Sequence, residues 1–210
     1  MSYDHYVIPA AACSDPATAA AHVHSQLGRS PQPEAAAIAA AITGHNLPLD
    51  DQRAFLSIHP LAAEGDMVVV AAPYPRVQDA RDVLVAEALR AGYGVFDPQN
   101  DVMIDPRSVR EGMIESSADG IYRVIAPTAV TALVHRLRDE DYLVVAIAEQ
   151  RYIQTQRRGD AYALEYRDGS PDRHLGTEVR SAAEVARAMR LWIAGDATQL
   201  ARLRWTKVDL

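Results

Sequence analysis

Between Ala161 and Val179 the chain alternates, turns and alternates again. Tyr162, Leu164 and Tyr166 fall on one face of an extended run, and Ala163, Glu165 and Arg167 on the other. Asp168-Gly169 followed by Ser170-Pro171 is turn chemistry, and Arg173 to Val179 alternates as a returning strand does. This pattern calls for an antiparallel hairpin with one side in a core and the other wet. The same stretch, EYRDGSPDRH from Glu165 to His174, also gathers three acids, two arginines and a histidine, which raises the question of an active site. In a hairpin Asp168 and Asp172 sit at the loop tip, while Arg173 and His174, adjacent on a strand, project to opposite faces. A convergent Asp-Arg-His set is therefore not expected: the stretch reads as a structural hairpin turn, with a recognition rim as the intermediate reading, since loop tips on rigid hairpins often carry recognition.

The elements around this hairpin read as a second part, 121–210. Pro127 opens a helix whose apolar residues Val130, Leu133, Val134 and Leu137 follow helical spacing. Tyr142 to Ala148 reads as a buried strand and Tyr152 to Gln156 as its continuation or the next one. Ser181-Ala-Ala-Glu184 is a capping box before a helix with Val185, Met189, Trp192 and Ile193 inward, ended by Gly195. LRWTKVDL, residues 203 to 210, alternates well enough for a last strand, with Trp205 as a core or edge anchor. A hairpin with flanking helices is an α+β arrangement.

The first part, 1–120, reads as α+β with a mixed sheet. Tyr3 to Ile8 is a short strand, and Ser14 or Asp15 caps a helix opening on Pro16 and ending near Gly28. Pro33 opens an alanine-rich helix with Gly44 placed to end it. His22, His24 and His45 lie near helix ends and read as surface residues; His22 and His24, two apart, do not share a helix face. Ala54 to Ile58 and Asp66 to Ala72 read as strands, the second containing the buried run MVVVAA. Val77, Ala80, Leu84 and Ala88 mark a helix closed by Gly92, and a strand GVF follows, completing a strand-helix-strand unit. Residues 107 to 121 have turn composition and weak periodicity, so the boundary between the parts falls there.

Composition narrows the function. The longest apolar runs fall far short of the roughly 20 residues of a membrane-crossing helix. The start, MSYDHYVIPAAA, lacks a basic segment followed by an apolar one, and Cys13 is the only cysteine; a cytoplasmic protein with no disulfide is expected. Residues 1 to 120 hold 16 acids against 7 arginines, a balance of −9, and residues 121 to 210 hold 12 acids against 14 bases, +2. An acidic face repels nucleic acid and steers basic partners, so no nucleic-acid role is expected.

Motifs for chemistry are missing. No G-x-S-x-G, P-loop, H-E-x-x-H or paired-cysteine pattern occurs, and the glycines after MVVVAA do not form a dinucleotide cradle. Asp97, Asn100, Asp101 and Asp105 invite a calcium reading, but the EF-hand glycine and glutamate are absent, and Asp97-Pro98 and Asp105-Pro106 read as turns around the strand VMI. No cofactor, metal or catalytic residue is assigned; His59, His135 and His174 remain the histidines from which an acid-base pair could assemble in space.

The run RYIQTQRRGDAYALEYRDGSPDRHLGTEVRSAAEVARAMRLWIAGD resembles a recurring module of bacterial proteins of unknown role, with a YIQ strand, an LEYRDG strand, PDRH, a helix and a last strand carrying tryptophan. That layout is similar to small α+β immunity proteins that neutralise polymorphic toxins, over residues 140 to 210. A second likeness links AGYGVFDPQND to bacterial proteins with a helix followed by a YDPQ-like strand. The resemblance implies a protein-binding module, an immunity protein whose acidic surface captures a basic partner such as a toxin domain. Candidate contacts are the loop-tip acids Asp97, Asp101, Asp168 and Asp172, with Glu165 and Arg167 on the wet strand face. The alternative is a small-molecule enzyme or ligand-binding protein with its pocket between the two parts.

Overall fold

Strand β1, Ser2–Pro9, carries the alternation that organises the first of two units. The computed structural model describes residues 2–208; Met1, Asp209 and Leu210, the last two within the expected final strand, lie outside them. The chain is α+β and divides after Ser108.

In the first unit β1 is followed by α1 (Pro16–Gln26), α2 (Pro33–Asn46), β2 (Ala63–Glu64), β3 (Met67–Pro73), α3 (Val77–Arg90), β4 (Tyr93–Asp97) and β5 (Val102–Ile104). The expected strand-helix-strand unit is β3-α3-β4, yet its strands are not neighbours. β1 lies between them in the order β2-β3-β1-β4-β5, with Val7 opposite Val68 on one side and Val95 on the other. Every pairing is antiparallel. The mixed sheet read from the sequence is thereby corrected: β3 and β4 run the same way but are kept apart by the N-terminal strand.

Both faces of this sheet are covered, which is why the MVVVAA run is continuous rather than alternating. Ile8, Met67, Phe96 and Met103 pack with Ala19 and Val23 of α1. The opposite face, with Val7, Val68, Val70 and Val95, meets α3 and α2. Asp15 caps α1 by accepting from Thr18 N at 2.9 Å. Gly44 does not end α2, which runs on to Asn46. Residues 54 to 58 form no strand. Buried Asn46 accepts from Phe55 N (2.8 Å) and Leu56 N (3.2 Å), so a side chain takes the donors that a ladder would have used.

The second unit contains β6 (Met113–Ser116), β7 (Gly120–Tyr122), α4 (Pro127–Arg136), β8 (Tyr142–Ala148), β9 (Arg151–Arg158), β10 (Ala161–Asp168), β11 (His174–Val179), α5 (Ala182–Ala194), α6 (Ala197–Leu200) and β12 (Thr206–Lys207). They form an antiparallel sheet in the order β12-β11-β10-β9-β8-β6-β7. The expected hairpin is β10-β11, one pair in a seven-stranded sheet. Residues 109 to 120 belong here rather than to the first part, because Ile114 pairs with Val145 on one side and Tyr122 on the other and is fully buried. Short strands of this kind leave little periodicity to read.

The inward face of this sheet is built from Leu143, Val145, Ile153, Tyr162, Leu164 and Val179, with α5 lying against β9, β10 and β11 and packing on α4. Ser181 Oγ accepts from Glu184 N at 3.4 Å, and Gly195 takes the left-handed conformation (φ 76°) that ends α5.

Candidate functional site

The other face of the seven-stranded sheet is half-exposed, and the charged hairpin opens onto it. Strand register decides which side chains meet. Tyr152, Arg167 and His174 stand in one row across β9, β10 and β11, and Gln154, Glu165 and Gly176 in the next. Directly opposed residues on one face lie close enough for their side chains to interact. Arg167 Nη2 is 3.3 Å from His174 Nδ1, His174 Nε2 is 3.2 Å from Glu165 Oε2, and Gln154 Nε2 donates to the same carboxylate oxygen at 3.0 Å. The Arg167 guanidinium also lies over the Tyr152 ring, 5.7 Å from its centre. His174 is 3 % exposed, although it stands on the open face.

This arrangement orients the imidazole. A guanidinium has only donors, so Nδ1 accepts from Arg167, and the ring proton sits on Nε2 facing Glu165. The nitrogen that would act as a general base is occupied by Arg167. The network holds these side chains in fixed positions on the open face of the sheet. Glycine at 176 makes room for it, since a Cβ there would approach Glu165 Cγ to 3.3 Å and Val208 Cγ2 to 2.9 Å.

Arg173 and His174 do part company, though not as neighbours on a strand. Pro171–Arg173 is a 3-10 turn and β11 begins at His174. Arg173 turns back to Asp168 (3.2 Å), which also binds Arg151 (3.2 Å). Gly169, at φ 86°, lets its N–H donate to Gln150 O at 2.7 Å. Asp172 is at the tip, with its side chain 90 % exposed and Lys207 3.4 Å away.

Of the six residues read as partner contacts, Glu165 and Arg167 are joined in one network, Asp168 and Asp172 lie at the hairpin tip, and Asp101 is exposed in the first unit. Asp97 is not a surface acid: it is 2 % exposed at the end of β4. The Asp-Pro turn was legible, but its carboxylate points inward, accepting from Tyr3 OH (2.5 Å), Gln99 N (3.0 Å) and Asn100 Nδ2 (3.2 Å). Burial raises its pKa, against the lowering effect of the Tyr3 bond and of Arg81.

Around Asp97 the first unit holds buried polar groups that the sequence did not single out. His5 on β1 and Arg81 on α3 are 1 % and 4 % exposed. Neither ring nitrogen of His5 finds a hydrogen-bond partner among the described residues. Burial, then the nearby positive charge of Arg81, lowers its pKa to about 3, so this ring is neutral at physiological pH. Burial and then Asp105 push the Cys13 thiol up to about 11, keeping it protonated and a poor nucleophile. Two histidines read as surface residues are hydrogen-bonded to carboxylates: His22 Nε2 lies 2.8 Å from Asp66 Oδ1 and His45 Nε2 2.8 Å from Glu87 Oε1. His59 and His135 are exposed. Among the described residues no three His, Cys, Asp or Glu side chains converge to hold a metal.

The class these observations define is an α+β protein of two units, the second an antiparallel sheet with helices on one face. A scan against protein-family models finds no match, and neither curated proteins nor solved structures yield one. No helix among the described residues is long and apolar enough to cross a membrane.

Proposed function

We propose that this chain is a protein-binding module of the immunity type, one that captures a basic protein domain such as the toxin domain of a polymorphic toxin system. The observation that carries the reading is where the charge lies. Residues 1–108 hold 13 acids against 6 arginines, and residues 109–210 hold 15 acids against 15 bases, so the whole net charge of −7 belongs to the first unit. Glu34, Asp51 and Asp101 are among its exposed acids. A one-signed field of this kind raises the rate of encounter with an oppositely charged partner and falls off with salt. The face of Tyr152, Gln154, Glu165 and Arg167 supplies the second ingredient, a rigid surface with side chains fixed before binding, which reduces the ordering cost of association.

The experiment is recovery of the tagged chain from its native cells at low salt, identification of the retained polypeptide, and reconstitution of the purified pair. A basic partner should associate more slowly as salt rises. Reversing Glu34, Asp51 and Asp101 together should cut the on-rate about tenfold or more at low salt, and co-expression should suppress the partner's toxicity. A partner whose on-rate ignores both salt and the triple reversal, or whose toxicity persists in the complex, would refute the proposal.

A further inference from the structure

We infer that the second unit carries a binding site for a small alkylated ammonium ion, in the cleft between the β10-β11 end of its sheet and the α5-α6 corner. The site is independent of the partner reading, which rests on the charge of the first unit and on Tyr152, Gln154, Glu165 and Arg167 of the open sheet face; none of these lines the cleft. The cleft measures about 480 Å³, and its apolar and aromatic walls are Tyr166, Leu175, Trp192, Leu200, Leu203 and Trp205. Such a size and such walls are those of small-molecule sites, which span roughly 300 to 1,000 Å³.

The walls are held in place. Trp205 Nε1 donates to Leu200 O at 2.9 Å, and the Trp205 and Tyr166 rings stand at 86° with centres 4.7 Å apart, so two aromatic planes meet as a corner. Trp192, in the last turn of α5, is a third aromatic in the lining. The face of such a ring is the negative part of its quadrupole and attracts a cation within about 6 Å of its centre, most strongly for tryptophan.

The formal charges of the lining agree in sign with the rings. Its charged side chains are Arg151, Asp168 and Asp196, one positive and two negative, a balance of −1. Asp168 is matched by arginine: its Oδ1 is 3.2 Å from Arg151 Nε, and Arg173, outside the lining, reaches its Oδ2 at 3.2 Å. Asp196 has no such match. Its Oδ1 accepts from Gln199 N (3.1 Å) and its Oδ2 from Gln199 Nε2 (3.0 Å), both neutral donors that leave the carboxylate its charge. Arg187 stops at Gln199 Oε1 (3.0 Å), and no arginine, lysine or histidine pairs with Asp196 among the described residues. A partly buried carboxylate in one lining with two tryptophans calls for a cation, and the leucine walls call for an apolar coat on it. An alkylated ammonium supplies both.

The chain has two tryptophans, and both line this cleft, so the two indole N–H signals in the NMR spectrum of the nitrogen-15 labelled full chain report on occupancy directly. The test titrates it at constant ionic strength with choline and with 3,3-dimethylbutan-1-ol, which replaces the ammonium nitrogen by carbon and so differs in charge alone. Saturable shifts of the indole signals are expected, with choline bound about tenfold or more tighter than the alcohol. Asp196→Asn keeps an acceptor for Gln199 N and should weaken choline about tenfold while leaving the alcohol unchanged. Arg151→Gln, at an exposed side chain, removes the positive charge of the lining and should tighten choline about threefold; this variant carries the test by itself should Asp196→Asn disturb the fold. Indole signals that choline does not shift saturably, a preference for choline below about tenfold or one that survives Asp196→Asn, or choline binding that Arg151→Gln fails to tighten would overturn the assignment.

Discussion

Arg167 donates to His174. The guanidinium Nη2 lies 3.3 Å from Nδ1 of a nearly inaccessible imidazole, and the two residues are directly paired across β10 and β11. This contact turns a cluster that resembles an acid-base site on paper into a fixed surface, because it occupies the nitrogen that a general base needs free.

The tautomer of His174 follows from that contact. Nitrogen-15 NMR of the labelled chain at neutral pH should show the His174 proton on Nε2. Arg167→Ala should release this preference and broaden the ring resonances, whereas a proton found on Nδ1 in the unmodified chain would contradict the geometry.

Acid should destabilise the first unit through His5. Its pKa is about 3 in the folded state against 6.5 for the ordinary side chain, so the unfolded chain binds more protons below pH 6.5 and stability falls as pH drops toward 3. By pH 4.5 the loss from this group is on the order of 2 to 3 kcal/mol. Asp97 acts in the opposite sense, since its raised pKa means that protonation favours the fold, and the Arg81 charge opposes protonation of the ring. Subtracting the urea-denaturation profile of His5→Phe isolates the histidine: the variant should lose less stability between pH 7 and 4.5, and equal losses would refute the assignment.

Asp97 and Asp101, both read as loop-tip partner contacts, should behave as unrelated residues. Asp97→Ala leaves Tyr3 OH and Gln99 N without their acceptor and should cost about 2 to 3 kcal/mol in urea denaturation. Asp101 is exposed with φ 53°, a conformation that glycine adopts freely, so Asp101→Gly should change stability by less than about 0.5 kcal/mol.

Asn46 substitutes for a strand. Its side chain accepts from two consecutive backbone N–H groups under a buried Phe55 and Leu56, so Asn46→Ala should cost about 2 to 4 kcal/mol. Asn46→Asp, which keeps the acceptor, should cost less; equal midpoints for the two variants would remove this role.

What the sequence determined by itself was local. Alternation on both sides of Asp168-Gly-Ser-Pro171 specified the β10-β11 hairpin, Ser181 and Gly195 specified helix ends, and the unbroken apolar run in β3 specified a strand covered on both faces. Each of these rests on backbone geometry or on burial periodicity within a few residues. What only the tertiary structure decided were the long-range relationships. β1 could slide between β3 and β4 because both offer complementary edges, which no local pattern records, and that insertion makes the sheet antiparallel throughout. The acidic turn at Asp97 was visible, but the direction of its carboxylate depended on Tyr3, 94 positions earlier. Glu165, Arg167 and His174 were visible as charges, yet their convergence depended on a pairing register set by where the turn ends and the strand resumes. Trp192 and Trp205 read singly as core anchors, and it is the return of the chain after Gly195 that sets them around one cleft beside Arg151 and Asp168.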